Sequence, residues 1–192
     1  MKGDIMPKLY YRHGCMSSSK TANALMTKFN YEEKGYKVLL LKPSIDNRDS
    51  ITKVKSRIGL ESEAILFQPT DDLKKIYWND TPYANCIIVD EAQFLTAKQV
   101  EQLKDLTYTI PVFCYGLRSN FKSYLFEGSK RLFELADSIT ELKSICKCGN
   151  KAIINAKYKN GKIVYDVEEI DIGGNEKYIG MCYKCWRQGK IK

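Results

Sequence analysis

The segment Gly14-Cys15-Met16-Ser17-Ser18-Ser19-Lys20-Thr21 narrows the possible folds more than any other part of this chain. A loop that cradles phosphates needs a glycine, four spacers, then Gly-Lys-Ser/Thr. Gly14, Lys20 and Thr21 meet that spacing, and Ser19 stands where the second glycine is usual. Residues 8–13 read as a strand entering the loop. Residues 21–33 read as a helix leaving it, with Ala22, Leu25, Met26 and Phe29 forming one apolar face. This order aims backbone N–H groups and the positive end of a helix at one point, which suits a phosphate chain. Lys20 would reach the outer phosphates and the Thr21 hydroxyl would ligate magnesium. The plainer alternative is a serine-rich turn that only caps a helix.

A second half-site lies downstream, in Cys86-Ile87-Ile88-Val89-Asp90-Glu91. An apolar run of this length bounded by charge suits a buried parallel strand. Open α/β sheets place their ligands at the carboxyl ends of such strands. Asp90 is then positioned to hold hydrated magnesium on the phosphates. Glu91 is positioned as the base that takes a proton from the attacking hydroxyl or water. Acidic residues at strand ends also serve as helix caps, so the pair gains its meaning from the loop at 14–21.

The rest of the chain alternates. A glycine stop at Gly35 precedes a strand at 36–42, and 43–59 reads as a long, polar, mobile loop. A short strand at 64–67 and a helix at 71–77 follow. Then come a strand at 86–90, a helix at 96–106, a strand at 111–115, a helix at 130–136 and a strand at 138–142. Such alternation predicts an α/β fold, a mainly parallel sheet flanked by helices. The pattern stops near residue 143, which divides the chain into a nucleotide-binding core (1–143) and a smaller β-rich unit (144–192). With 44% hydrophobic residues the chain can build a sizeable core, and no apolar run approaches the length of a membrane span. The first residues lack the apolar centre of a signal peptide, so a cytoplasmic protein without membrane partners is expected. The net charge of +8 is dispersed, which fits a solvated surface better than a nucleic-acid interface.

Seven cysteines in such a chain argue against a disulfide framework. Cys146, Cys148, Cys182 and Cys185 pair by spacing across a segment of short strands and turns, with strands at 152–158 and 162–164 and turns at Asn160-Gly161 and Gly173-Gly174. Two such pairs form a structural zinc site of four sulfurs, closed to catalysis. The first pair is one residue shorter than the usual C-x-x-C, so another group in place of one sulfur is the alternative. Cys15, Cys86 and Cys114 read as core thiols.

Together, the loop, Asp90-Glu91-Ala92-Gln93-Phe94, Tyr115-Gly116-Leu117-Arg118-Ser119-Asn120-Phe121 and the four cysteines resemble the type II, zinc-containing thymidine kinases. The resemblance runs from Pro7 to Cys185 and is greatest to the bacterial branch. It implies transfer of the ATP γ-phosphoryl group to the 5′-hydroxyl of thymidine, with magnesium as catalytic ion and zinc as structural ion. It also implies a homotetramer and feedback inhibition by dTTP. By position, 14–21 and Asp90-Glu91-Ala92-Gln93 would hold Mg·ATP, with Asp46 and Arg48 near the phosphates and Glu91 as base. Met16, Phe94, Leu117, Phe121 and Phe126 would surround the nucleoside. Glu169, Ile170, Asp171, Ile172, Gly173 and Tyr178 would form a lasso over the base, reading it largely through main-chain groups.

Bland readings stand beside these. Phe94, Phe121 and Phe126 would serve equally as core aromatics, Asp46 and Arg48 as a surface ion pair, and Tyr178 as one of 13 tyrosines. His13 at the end of a strand is expected to be non-catalytic. A zinc-ribbon ATPase acting on nucleic acid shares the acidic box, but a helicase needs two core domains and this chain has room for one. A kinase for another deoxynucleoside is the nearer alternative.

Overall fold

The computed structural model describes residues 7–46, 52–165 and 177–189. β1 (Leu9–Gly14) runs into the loop and then α1 (Lys20–Glu32). α1 ends where Gly35 turns at φ +79°, a conformation that glycine adopts without steric penalty. β2 (Val38–Pro43), the hairpin β3 (Lys53–Lys55) and β4 (Glu61–Glu63), and β5 (Ile65–Phe67) follow. α2 (Leu73–Asp80) is capped by the Asp72 carboxylate, which accepts the N–H groups of Lys74 and Lys75. Next are β6 (Cys86–Val89), a single 3-10 turn (Ala92–Phe94), and α3 (Ala97–Leu106), which opens with a Thr96/Gln99 capping box. β7 (Val112–Leu117), α4 (Glu127–Leu135) and β8 (Ser138–Glu141) complete the core.

The six-stranded sheet has the order β5-β2-β6-β7-β1-β8. All its pairings are parallel. Strand alternation sends side chains to two faces. Leu39, Leu41, Ile87, Val89, Val112 and Cys114 pack with α2, α3 and α4 through Leu73, Leu103 and Leu132. Leu40, Cys86, Ile88, Phe113 and Tyr115 pack against Ala24 and Leu25 of α1. β7 lies between β1 and β6, so the phosphate loop and the acidic pair sit two strand spacings apart, ~9.5 Å.

Two expectations need correction. The stretch 43–59 is not all loop: Lys53–Lys55 pairs antiparallel with Glu61–Glu63, and Val54 is buried beside Ala24 and Leu25. Charged strand residues at an exposed edge had disguised a hairpin held by one apolar side chain. The apolar face of α1 is also narrower than its sequence suggests. Ala22, Ala24 and Leu25 are buried, whereas Met26 and Phe29 are 50% and 62% exposed.

The C-terminal unit is built from β9 (Ser144–Ile145), β10 (Lys151–Ala152), β11 (Ile154–Lys159), β12 (Lys162–Val164), β13 (Tyr178–Met181) and α5 (Tyr183–Arg187). β11 is central, antiparallel to β12 and β13. Asn160 and Gly161 turn at φ +51° and +73°, the double positive angle of a type I′ hairpin. Ala152, Ile154, Ala156, Met181 and Trp186 form its apolar centre, and Cys15 of the phosphate loop packs among them. No helix among the described residues is long and apolar enough to cross a membrane.

Candidate active site

The loop at 14–21 folds over its own backbone. Gly14 is obligatory, since a Cβ there would lie 2.3 Å from Ser18 Oγ and 2.5 Å from the Leu142 carbonyl. Ser19 takes φ +57°, the left-handed angle that a glycine usually supplies, and Ser17 takes φ +62°. The departure at Ser19 therefore leaves the loop's torsion intact. Lys20 is buried, and its Nζ donates to the Cys15 carbonyl at 2.8 Å and to Ser18 Oγ at 3.3 Å. Burial lowers its pKa, opposed chiefly by the field of Glu91, with Cys15 and Asp90 contributing.

Asp90 and Glu91 follow β6 directly and are both buried. The Thr21 side chain faces the Asp90 carboxylate closely enough to favour its charged form, bringing the two half-sites together across β7. Burial and the neighbouring Glu91 charge raise the Asp90 pKa. Glu91 adopts φ +50°, an uncommon angle for a non-glycine residue and one that clusters at functional sites. Gln93 Nε2 donates to Glu91 Oε2 at 2.5 Å, while its Oε1 accepts the Leu117 N–H at 2.9 Å. Gln93 thus fixes the Glu91 carboxylate and ties it to the end of β7. Gly116 makes that approach possible, because a Cβ there would sit 3.0 Å from the Gln93 backbone nitrogen.

The expected nucleoside residues fall into two groups. Phe94 and Phe126 meet edge-to-face with centroids 5.8 Å apart, the Phe94 N–H donates to the Glu91 carbonyl, and Leu117 is half-buried. Phe121 is buried and lies under Lys157 of β11, with the ammonium 5.4 Å from its ring centroid. Tyr178 is the cross-strand partner of Lys157. Met16 is buried on the same side, its N–H donating to Asn155 of β11. Asp46 is not at the surface: it is buried and lies 3.8 Å from the buried ammonium of Lys42, on a strand three positions from β1. Arg48 and the lasso residues Glu169, Ile170, Asp171, Ile172 and Gly173 lie outside the described residues. Burial lowers the pKa of His13, whose ring packs on Tyr11 and Phe133.

The four cysteines converge. The sulfurs of Cys146, Cys148, Cys182 and Cys185 all lie within 4.8 Å of one another, with Cys148 and Cys182 3.6 Å apart. A tetrahedral zinc with ~2.3 Å bonds requires sulfurs about 3.8 Å apart. The short first pair reaches the cluster through a tight turn, in which the Gly149 N–H donates to the Cys146 carbonyl and Gly149 turns at φ +87°. Cys15, Cys86 and Cys114 are buried thiols, as expected.

Three residues carried no local signal in the sequence. Arg57 Nη1 donates to Ser17 Oγ at 2.9 Å, placing a cation beside the phosphate loop. Lys42 is a lone basic residue in an apolar strand, and only burial reveals it. Asn155 is one polar residue in a strand of mixed character. It joins segments more than 130 positions apart, which no spacing rule detects.

Known proteins match this chain over most of its length. The family model for thymidine kinase matches residues 7–186. A thymidine kinase of Rhodopirellula baltica is 44% identical over 182 residues, covering 92% of this chain and 86% of that one. Thymidine kinases of Photorhabdus laumondii and of Enterobacteria phage T4 are 42% and 43% identical, over 93% and 95% of this chain and 92% and 97% of theirs.

Proposed function

The chain belongs to the thymidine kinase family and is an ATP-dependent phosphotransferase that converts thymidine to its monophosphate; on that premise we propose how its residues divide the reaction. The observation that carries the residue roles is the convergence of buried Lys20, Asp90 and Glu91 at the ends of β1 and β6, which brings the phosphate loop and a candidate base to one site. The loop at 14–21 holds the triphosphate through its backbone N–H groups and Lys20. Thr21 and Asp90 offer two oxygen ligands of the kind that magnesium takes, and the ion would neutralise charge on the β- and γ-phosphates. Glu91 accepts the proton of the 5′-hydroxyl as its oxygen bonds to the γ-phosphorus and the bond to the β,γ-bridging oxygen breaks. Gln93 holds the carboxylate in orientation for that transfer. Phe94, Phe126 and Leu117 wall one side of the nucleoside and Met16, Phe121 and Tyr178 the other, with 169–173 covering the base.

The nucleic-acid ATPase alternative loses its support, since Asp90-Glu91-Ala92-Gln93 lies inside the segment matched as a kinase. We extend the proposal to a cytoplasmic homotetramer inhibited by dTTP, which joins the same base and sugar to a triphosphate. Exposed Met26 and Phe29 on α1 offer apolar area for self-association. The activity is tested by ATP consumption against a panel of nucleosides. Thymidine is expected to turn over fastest and deoxyuridine more slowly; equal turnover with deoxyadenosine or deoxyguanosine overturns the specificity.

Zinc on Cys146, Cys148, Cys182 and Cys185 would clip two turns and leave no coordination position for water. Cys148→Ser is expected to lose the metal and lower Tm by roughly 5–15 °C, at about 2–4 °C per kcal/mol for a chain this size. It should also raise the KM for thymidine, because the clipped unit carries Tyr178. Elemental analysis with calorimetry checks this, and a metal-free wild type of full stability and activity counts against it.

A further inference from the structure

Asn155 is buried at 3% exposure, and both ends of its amide are used. Its Oδ1 accepts the Met16 N–H at 2.7 Å, and its Nδ2 donates to the Ser119 carbonyl at 2.7 Å. One side chain of the C-terminal unit thus holds the phosphate loop and the segment after β7 that carries Phe121. The residue opposite Asn155 across the β11–β13 ladder is Gly180. A Cβ on Gly180 would lie 3.0 Å from the Met16 carbonyl and 3.3 Å from Cys15 Sγ. The cross-strand pair therefore grips residues 15–16 twice: Asn155 by a hydrogen bond and Gly180 by leaving room for the backbone. Ser119 Oγ is buried with no partner among the described residues, and its carbonyl, which accepts from Asn155, is the residue's link to the C-terminal unit beside the neighbouring Arg118–Ile153 bond.

We propose that Asn155 is a positioning residue for phosphoryl transfer, coupling the C-terminal unit to the phosphate loop through Met16 and to the nucleoside wall through Ser119. The coupling rests on the reading of 14–21 as the triphosphate site. Apolar removal of the amide leaves one buried N–H and one buried carbonyl unpaired, and each adjacent segment relaxes. A bond of this kind is worth about one decade in affinity on each side.

The test compares Asn155→Leu, Asn155→Asp and Gly180→Ala in the full-length, metal-replete protein. Asn155→Leu is expected to raise the KM for ATP and for thymidine each by ~10-fold. Asn155→Asp keeps an acceptor for Met16 but opposes a carboxylate to the Ser119 carbonyl. It should therefore raise the thymidine KM more than the ATP KM. Gly180→Ala, which crowds only residues 15–16, should do the reverse. Should the leucine variant fail to fold, the opposite splits of the other two still decide the matter. Unchanged KM values with only a lowered Tm, or equal shifts in Asn155→Asp and Gly180→Ala, overturn the coupling. Lys20→Ala serves as control: if it too leaves the ATP KM unmoved, the phosphate-loop reading has failed; if it raises that KM, the failure is the coupling's alone.

Discussion

Glu91→Gln is expected to lower turnover by ~10²–10⁴ while the KM for ATP and for thymidine stays within about twofold of wild type. The substitution is nearly isosteric, so the hydrogen bond with Gln93 can survive with its amide reoriented. What disappears is the ability to accept a proton from the 5′-hydroxyl in the transition state. An interaction made only there lowers kcat without weakening ground-state binding. The change also removes one negative charge beside Asp90 and Lys20, which if anything favours an anionic triphosphate. Steady-state kinetics with binding by calorimetry separate the two quantities. Near-normal turnover would remove Glu91 from the mechanism.

Lys20→Ala should fail differently, losing both ATP affinity and turnover, with kcat/KM for ATP down by ~10²–10³. The Lys20 ammonium lies in a buried setting where charge is weakly screened, and its pKa is already pressed down by desolvation. A triphosphate would restore a favourable field to it in the ground state and more so as charge shifts to the leaving oxygen. The alanine also leaves the Cys15 carbonyl without the donor now 2.8 Å away, so the loop itself loosens. Thymidine affinity measured without ATP should change little. A variant with normal ATP affinity would show that Lys20 serves the loop's own fold and not the nucleotide.

What the sequence revealed follows from the range of its signals. Strands such as 86–89 are continuous apolar runs, and the loop at 14–21 has fixed spacing, so both are visible locally. The four cysteines are visible because thiol pairs have few other reasons to recur. The hairpin at 53–63 was hidden because Lys53, Lys55, Glu61 and Glu63 face solvent and Val54 is its one buried apolar residue, Ile58 and Leu60 being exposed. Met26 and Phe29 misled because helical periodicity records an apolar face without naming what covers it. The roles of Gln93 and Asn155 depend on partners 24 and 139 residues away, fixed by strand order and not by any nearby residue. Asp46 was placed by analogy near phosphates; its burial against Lys42 belongs to tertiary packing.

The left-handed Ser19 has an energetic consequence for the loop. A side chain held at φ +57° costs about 1–2 kcal/mol, which glycine would avoid. Glycine, however, would widen the unfolded ensemble and give back about 0.4–1 kcal/mol. The second effect offsets about half of the first, so serine at this position costs the loop roughly 1 kcal/mol or less relative to glycine. What the loop requires at this position is a torsion angle, and serine supplies it as glycine would, at that small cost.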